Sequence, residues 1–405
     1  MYQTYNSNAG PFQFSGPILS TIGLCDSILR QPMQRTGDPS SIRSDAVMSE
    51  YLNSLLEQAM SDHDPAFDRI AGPTGPSLKW RYSSAYQKSV RRNDPSIKAV
   101  AAALNSCDPA YIWRRAPTIA LEDVSMGDPW VVALVLHACR FAKVRAMYGP
   151  DKLAGFLGAL MGSAVKDRLS CDSFCLPSLH PEMGKVRSAV DQMQASERAD
   201  LYRSDDTPFP WRVAAGIALS GPRYGGGVFN GIGGSPEQLS EVVADLAPYP
   251  IQWISRQYAR MARDGMFVTL PLVWRRLHSE PHVDVVRGKM PDRCLINGIL
   301  SATFDGHTRE GRSAISRLGI DCDAVRGALA GLRNKNKALE LAVFTVDSSL
   351  LNRRLLSPWS EALYAENLRG EVLAAGASAS QFDELAEAVA ANLEKLNFFR
   401  SKAAI

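Results

Sequence analysis

The stretch from Lys88 to Pro129, KSVRRNDPSIKAVAAALNSCDPAYIWRRAPTIALEDVSMGDP, decides how this chain is read. Asp94-Pro95, Asp108-Pro109 and Asp128-Pro129 punctuate it. At each pair the aspartate can accept hydrogen bonds from the free N–H groups of a helix start. The proline then fills the first helical position, where its missing N–H costs nothing and its fixed φ suits the helix. The spacing predicts a helix start at each pair, and with it a mainly α fold.

The segment resembles the helical region that follows the ATPase core in the RarA/MgsA family of replication-associated recombination proteins, relatives of the clamp-loader ATPases. Lys88, Ser89, Arg91, Asp94 and Pro95 match the first part of that family's pattern. Asp108, Pro109, Tyr111, Ile112, Arg114, Arg115, Ala120, Glu122, Asp123, Val124, Asp128 and Pro129 match the second part at the same internal spacing. The resemblance runs from Lys79 to about Val135 and implies a clamp-loader-collar-like helical domain of the oligomerisation type. It departs at Leu121, where the family has serine, and at Ser125, where it has glycine. Pro117 falls within a helix that the family leaves unbroken, and should kink or end it.

The family's AAA+ ATPase core is not expected here, because only 78 residues precede Lys79. No G-x-x-x-x-G-K-[ST] phosphate loop occurs. The nearest imitation, Gly72 to Lys79, lacks the Gly-Lys-Ser/Thr ending and a preceding apolar strand, so nothing builds a phosphate nest. Ile119 to Asp123 has the look of an apolar strand ending in paired carboxylates for magnesium. Inside a helical motif those acids are better read as capping or salt-bridging groups.

Hydrophobic residues make up 45% of the chain and charged residues 21%, ordinary values for a packed globular protein of two or three domains. The seven cysteines are odd in number and scattered, and no basic region followed by an apolar run opens the sequence, so reduced thiols and a cytoplasmic location are expected. The apolar window Leu153–Val165 is too short to span a membrane and reads as a buried helix.

A net charge of +3 names no partner, but its distribution is more telling. Lys79, Arg81, Lys88, Arg91, Arg92 and Lys98 face only Asp94 over that interval, with Trp80, Tyr82 and Tyr86 interleaved. Such a patch suits a phosphate backbone with bases stacked on the rings; Arg114 and Arg115 extend it. The competing reading is a solvated helix face with its aromatics turned inward.

Four regions follow: an extension with one short helix over 1–78, the RarA-like domain over 79–210, a glycine-rich linker or loop over 211–236, and a C-terminal helical domain over 237–405. Gly221 to Gly234 holds seven glycines in fourteen residues and reads as a hinge, with a phosphate-wrapping loop using Arg223 as the alternative. Near the C-terminus Phe382, Leu385, Ala386, Val389, Leu393 and Leu396 form one apolar stripe, expected to be core, with an oligomer seam as the alternative.

The densest polar cluster of the C-terminal half runs from Phe304 to Arg312. Asp305 or Thr308 can cap the following helix, and His307, Arg309 and Arg312 can face an anion at its N-terminus. Cys171, Cys175 and His180 lack a fourth ligand at a recognisable distance, so no metal and no cofactor is expected. His278, His282 and Asp284 are separated by Pro281 and read as packed side chains.

The function these readings favour is a non-catalytic accessory of DNA replication or recombination. It would self-associate through Ile112, Trp113, Trp130, Val131 and Leu134, or pair with a clamp-loader-like ATPase, and lay basic residues on DNA. The alternatives are an enzyme acting on a phosphorylated substrate through the glycine-rich loop and the Asp305–Arg312 cluster, and a collar mimic that inhibits a partner ATPase.

Overall fold

In the computed structural model the described residues are 4–5, 42–61, 70, 73–224, 228–230, 233–262 and 264–404. They form a mainly helical protein. The chain begins with α1 (Asp45–Ser61), α2 (Lys79–Arg92), α3 (Ile97–Cys107), α4 (Ile112–Ile119), α5 (Pro129–Arg140), α6 (Ala142–Tyr148) and α7 (Pro150–Ser163). It continues through α8 (Leu169–Leu179), α9 (Gly184–Gln192), α10 (Ala195–Arg203), α11 (Phe209–Leu219), α12 (Pro236–Val243), α13 (Tyr249–Met261) and α14 (Leu270–Ser279). The last helices are α15 (Arg309–Asp321), α16 (Asp323–Ala328), α17 (Lys335–Val343), α18 (Pro358–Ala374), α19 (Ala379–Ala390) and α20 (Leu393–Ala403).

Strand structure is slight. β1 (Thr4–Tyr5), β2 (Asp284–Arg287) and β5 (Arg353–Leu356) form one antiparallel sheet in the order β1-β2-β5, with Asp284 opposite Leu356 and Arg287 opposite Arg353. β3 (Leu295–Ile296) and β4 (Ile299–Leu300) pair as a two-stranded ribbon. Among the described residues no helix is long and apolar enough to cross a membrane.

Each Asp-Pro pair forms a turn that leads into a helix, but only Asp128-Pro129 supplies both the cap and the first helical residue; α3 and α4 begin three and four residues after their aspartates, with Ser96 and Tyr111 at the N-cap. Asp94 Oδ1 accepts from the Ser96 N–H at 2.9 Å just ahead of α3. Asp108 Oδ1 accepts from the Ala110 and Tyr111 N–H groups at 3.1 and 3.0 Å ahead of α4. Asp128 accepts from the Val131 N–H at 3.2 Å and caps α5, with Pro129 in its first turn.

Pro117 acts differently from expectation. It lies within α4, and the chain keeps turning beyond Ile119, widening into a π-helical turn from Ala120 to Val124 that carries Glu122 and Asp123. A second π-helical turn, Phe344–Ser348, follows α17 and carries Asp347. Wider turns of this kind present side chains off the ordinary α register.

The apolar side chains gather in two cores, divided later in the chain than the sequence suggests. One runs from Ile42 to Leu277 and takes in Phe304, Leu355, Leu363 and Ala404. The other is built from Ala314 to Leu396. The apolar side chains of 237–279 therefore share the first core with the helices over 79–210, and the second core begins only near α15. The reason lies in 211–236: its first part is α11, whose residues from Arg212 to Leu219 are all buried.

The described part of the glycine-rich loop also docks onto the first core, through Tyr224 and Phe229, each 3% exposed. A Cβ on Gly234 would lie 2.4 Å from the Ala218 carbonyl oxygen, so the chain passes there against backbone. This is a fitted loop between helices of one core, not a hinge between two bodies; residues 225–227 and 231–232 lie outside the described residues. Most of the N-terminal extension lies outside them as well.

The C-terminal stripe is core, as its period predicts, but Asn392 divides it into α19 and α20. Phe382, Leu385, Val389 and Leu396 are all buried in the smaller core.

Candidate functional site

Helix α2 carries most of the predicted basic patch, and its two ends differ. At the C-terminal end the cations point inward. Lys88, 2% exposed, places Nζ 2.5 Å from Asp305 Oδ2. Arg91, 1% exposed, donates from Nε to Asp123 Oδ1 at 2.8 Å, from Nη2 to Glu122 Oε1 at 3.0 Å and from Nη1 to the Ser348 carbonyl at 3.0 Å. Arg92 pairs with Asp347, which Arg400 also engages at 2.8 Å.

The two π-helical turns thus present their acids to neighbouring arginines of one helix. Gln87 donates from Nε2 to Asp123 Oδ2 at 2.8 Å and accepts from Arg115 through Oε1, and Arg168 reaches Asp123 Oδ1 at 3.1 Å.

The electrostatics match this geometry. Burial pushes the Glu122 carboxyl up, but Arg91, Arg168 and Arg115 outweigh it and hold the group at about 2. Burial likewise opposes ionisation of Asp305 and Asp347; Lys88 overcomes it at the first, Arg400 and Arg92 at the second, and both carboxyls stay below the usual range. Asp128, which caps α5, is raised to about 6 by burial.

Lys88, Arg91 and Arg92 as DNA-contacting residues are therefore corrected. Their charges are committed to carboxylates inside the fold, and a phosphate cannot reach them without breaking buried ion pairs. Arg81 pairs with Glu310, Arg115 with Gln87, and Lys98 is half-buried on α3. Tyr82 and Tyr86 are interior. As the sequence reading holds, Glu122 and Asp123 are salt-bridging groups.

The N-terminal end of α2 faces solvent. Trp80 is 62% exposed and meets the Tyr111 ring edge-on at 5.6 Å. Lys79 Nζ lies 5.3 Å from the Trp80 ring centre and 5.1 Å from that of Tyr111, and the Arg114 guanidinium lies 5.9 Å from Tyr111. Lys79 also holds Asp108 at 3.3 Å, which ties the start of α2 to the turn before α4. The result is an aromatic platform flanked by cations. Its chemistry suits a stacked base with phosphates on either side.

The Asp305–Arg312 cluster is taken apart by the fold. Asp305 turns inward to Lys88, and Thr308 Oγ1 caps α15 by accepting from the Gly311 N–H at 3.1 Å. Arg312 donates to the Gly306 carbonyl at 3.1 Å. His307 packs edge-on against Phe344, and its backbone N–H donates to Asp305. His307, Arg309 and Arg312 are exposed, but the site loses Asp305 and Thr308 to structural work.

Among the described residues one set of three potential metal ligands converges, His180, Glu182 and Glu366. His180 Nδ1 accepts from the Glu182 N–H at 3.2 Å, Nε2 lies 3.5 Å from Glu366 without a hydrogen-bond partner, and Arg369 bridges both glutamates. The two carboxylates are thus already paired with a guanidinium. Cys171 and Cys175 do not join His180 in a common ligand set. His278 stacks on Trp274 at 5.2 Å, a packed side chain as expected.

The apolar side chains expected to drive self-association are covered within the chain. Ile112, Trp113, Trp130, Val131 and Leu134 are all buried, the most exposed of them at 9%. That support for an oligomer is withdrawn.

Comparison of the chain with family models, with curated proteins and with solved structures returns no match.

Proposed function

We propose that the protein is a non-catalytic helical accessory of DNA transactions, built on a RarA-like scaffold, that holds single-stranded nucleic acid through the Lys79–Trp80–Tyr111–Arg114 platform. The observation that carries the proposal is Trp80, a large aromatic left in solvent at the start of the motif-bearing helix, with cations beside it. An isolated exposed tryptophan is costly to solvate and explains nothing about folding. Beside an edge-on tyrosine, a lysine and an arginine it forms a surface on which any base can stack.

The RarA resemblance supports the setting, replication or recombination alongside a clamp-loader-type ATPase. The buried ion pairs of its motif residues are consistent with a module whose charges hold a shape. No sequence preference is expected, since stacking and phosphate contacts read no base edges.

Fluorescence anisotropy with a labelled oligo-dT and with a duplex of equal length tests this. Trp80→Ala should weaken single-strand binding by about 1–3 kcal/mol, a factor of roughly 5 to 150, and leave residual duplex binding unchanged. Equal single-strand affinity in wild type and variant removes the platform from the function.

A further inference from the structure

Cys171 and Cys175 stand one turn apart on α8, and their sulfurs are 4.0 Å apart. Both are free thiols and neither is fully buried. Cys175 lines a cleft of about 220 Å³ between α8, α18 and the segments that follow β2 and α17, so the pair communicates with solvent. Arg168 Nη2 lies 3.5 Å from Cys171 Sγ.

This spacing disfavours a disulfide. Side chains four residues apart on a helix keep their Cβ atoms about 5–6 Å apart, whereas a disulfide needs about 3.5–4.5 Å, so closing the bond would unwind α8. A single ion between the sulfurs meets no such obstacle, since two metal–thiolate bonds of about 2.3 Å each span 4.0 Å at an open angle.

The ligand set then selects the ion. Among the described residues no histidine or carboxylate joins the two sulfurs at ligand distance. A tetrahedral zinc site needs four donors. Two soft thiolates without a third donor match a soft monovalent ion that accepts two-coordination.

We propose that Cys171 and Cys175 form a two-coordinate site for Cu(I), reached through the cleft that Cys175 lines. Binding forms two Cu–S bonds, displaces one proton from each thiol and changes no oxidation state. The bound group carries one negative charge, and Arg168 lies beside it. Because each thiol gives up its proton on binding, apparent affinity rises with pH.

The reduced full-length protein, titrated anaerobically with Cu(I) against bicinchoninate, provides the test. Wild type should hold one equivalent, with X-ray absorption showing two sulfur donors. Cys175→Ser and Cys171→Ser should each weaken binding by about 100-fold or more, because a single thiolate loses the chelate. Cys107→Ser and Cys322→Ser should bind as wild type does.

Circular dichroism checks that each variant is folded; should Cys171→Ser unfold, Cys175→Ser and Cys175→Ala still decide the matter. Unchanged affinity in folded Cys175→Ser overturns the site. So does a third or fourth protein donor in the absorption spectrum, or equally tight binding of Zn(II).

Discussion

The two ends of α2 begin from the same composition, basic residues mixed with aromatics, and end in opposite roles. At Lys88–Arg92 the cations are desolvated and joined to Asp305, Glu122, Asp123 and Asp347. At Lys79–Trp80, a little over two turns earlier, the ring stays in water and the cation is half-buried in an ion pair with Asp108. The difference teaches that a basic cluster is not in itself a surface. What settles its role is whether acids from elsewhere in the chain reach it and bury it: Asp108 and Glu310 meet Lys79 and Arg81 near the surface, whereas the acids that meet Lys88, Arg91 and Arg92 hold them inside.

The comparison breaks first at Arg91. Arg91→Ala should cost about 3–5 kcal/mol, because Asp123 is left buried with its principal partner gone. Chemical denaturation measures this, and a loss below about 1 kcal/mol would mean the inward end is not held by its ion pairs.

Next is pH. Glu122 has a folded value of about 2, below the ordinary 4.5, so its stabilisation is complete above pH 4.5 and disappears as pH falls through 2. The stability gap between wild type and Glu122→Gln should be at most about 3 kcal/mol at pH 7 and should close across that window. A gap that does not change from pH 6 to pH 2.5 contradicts the assignment.

The outward end should behave in the opposite manner. Lys79→Gln and Arg114→Gln should each reduce the slope of log affinity for single strands against log salt by about one. Smallest of all, Trp80→Ala should leave stability within about 0.5 kcal/mol of wild type, despite its effect on binding. A large loss of stability there would make Trp80 a packing residue and erase the contrast between the ends.

Much of the helical framework was legible because it is set locally. The Asp-Pro pairs hold the turns that lead into helices by bonds to N–H groups two or three residues away, and a 3.6-residue stripe such as Phe382 to Leu396 marks its own buried face. The burial of Lys88 and Arg92 was not legible, since it depends on Asp305 and Asp347, more than two hundred residues distant in sequence. Trp80 was visible within the patch, but its exposure was not, because Tyr82 and Tyr86 are equally aromatic and lie inside. The pairing of Cys171 with Cys175 was present in their spacing; what hid it was the assumption that a metal site needs four donors. The π-helical turns leave no local signature in the sequence, although each carries an acid paired with an arginine of α2.

Those turns also constrain how the gene can change in length. A π-helical turn holds one residue more than an α turn would in the same place, so removing a single residue from Ala120–Val124 would let the helix close into regular α form without an obvious local defect. Within a regular α-helix the same loss would rotate everything downstream by about 100° about the helix axis. Here the extra residue of the π turn takes up the change, so Asp128 and α5 keep their place relative to α4, and what is lost is the wider presentation of Glu122 and Asp123 to Arg91. A one-codon deletion in Ala120–Val124 is for this reason better tolerated by the helical framework than one in the middle of α2.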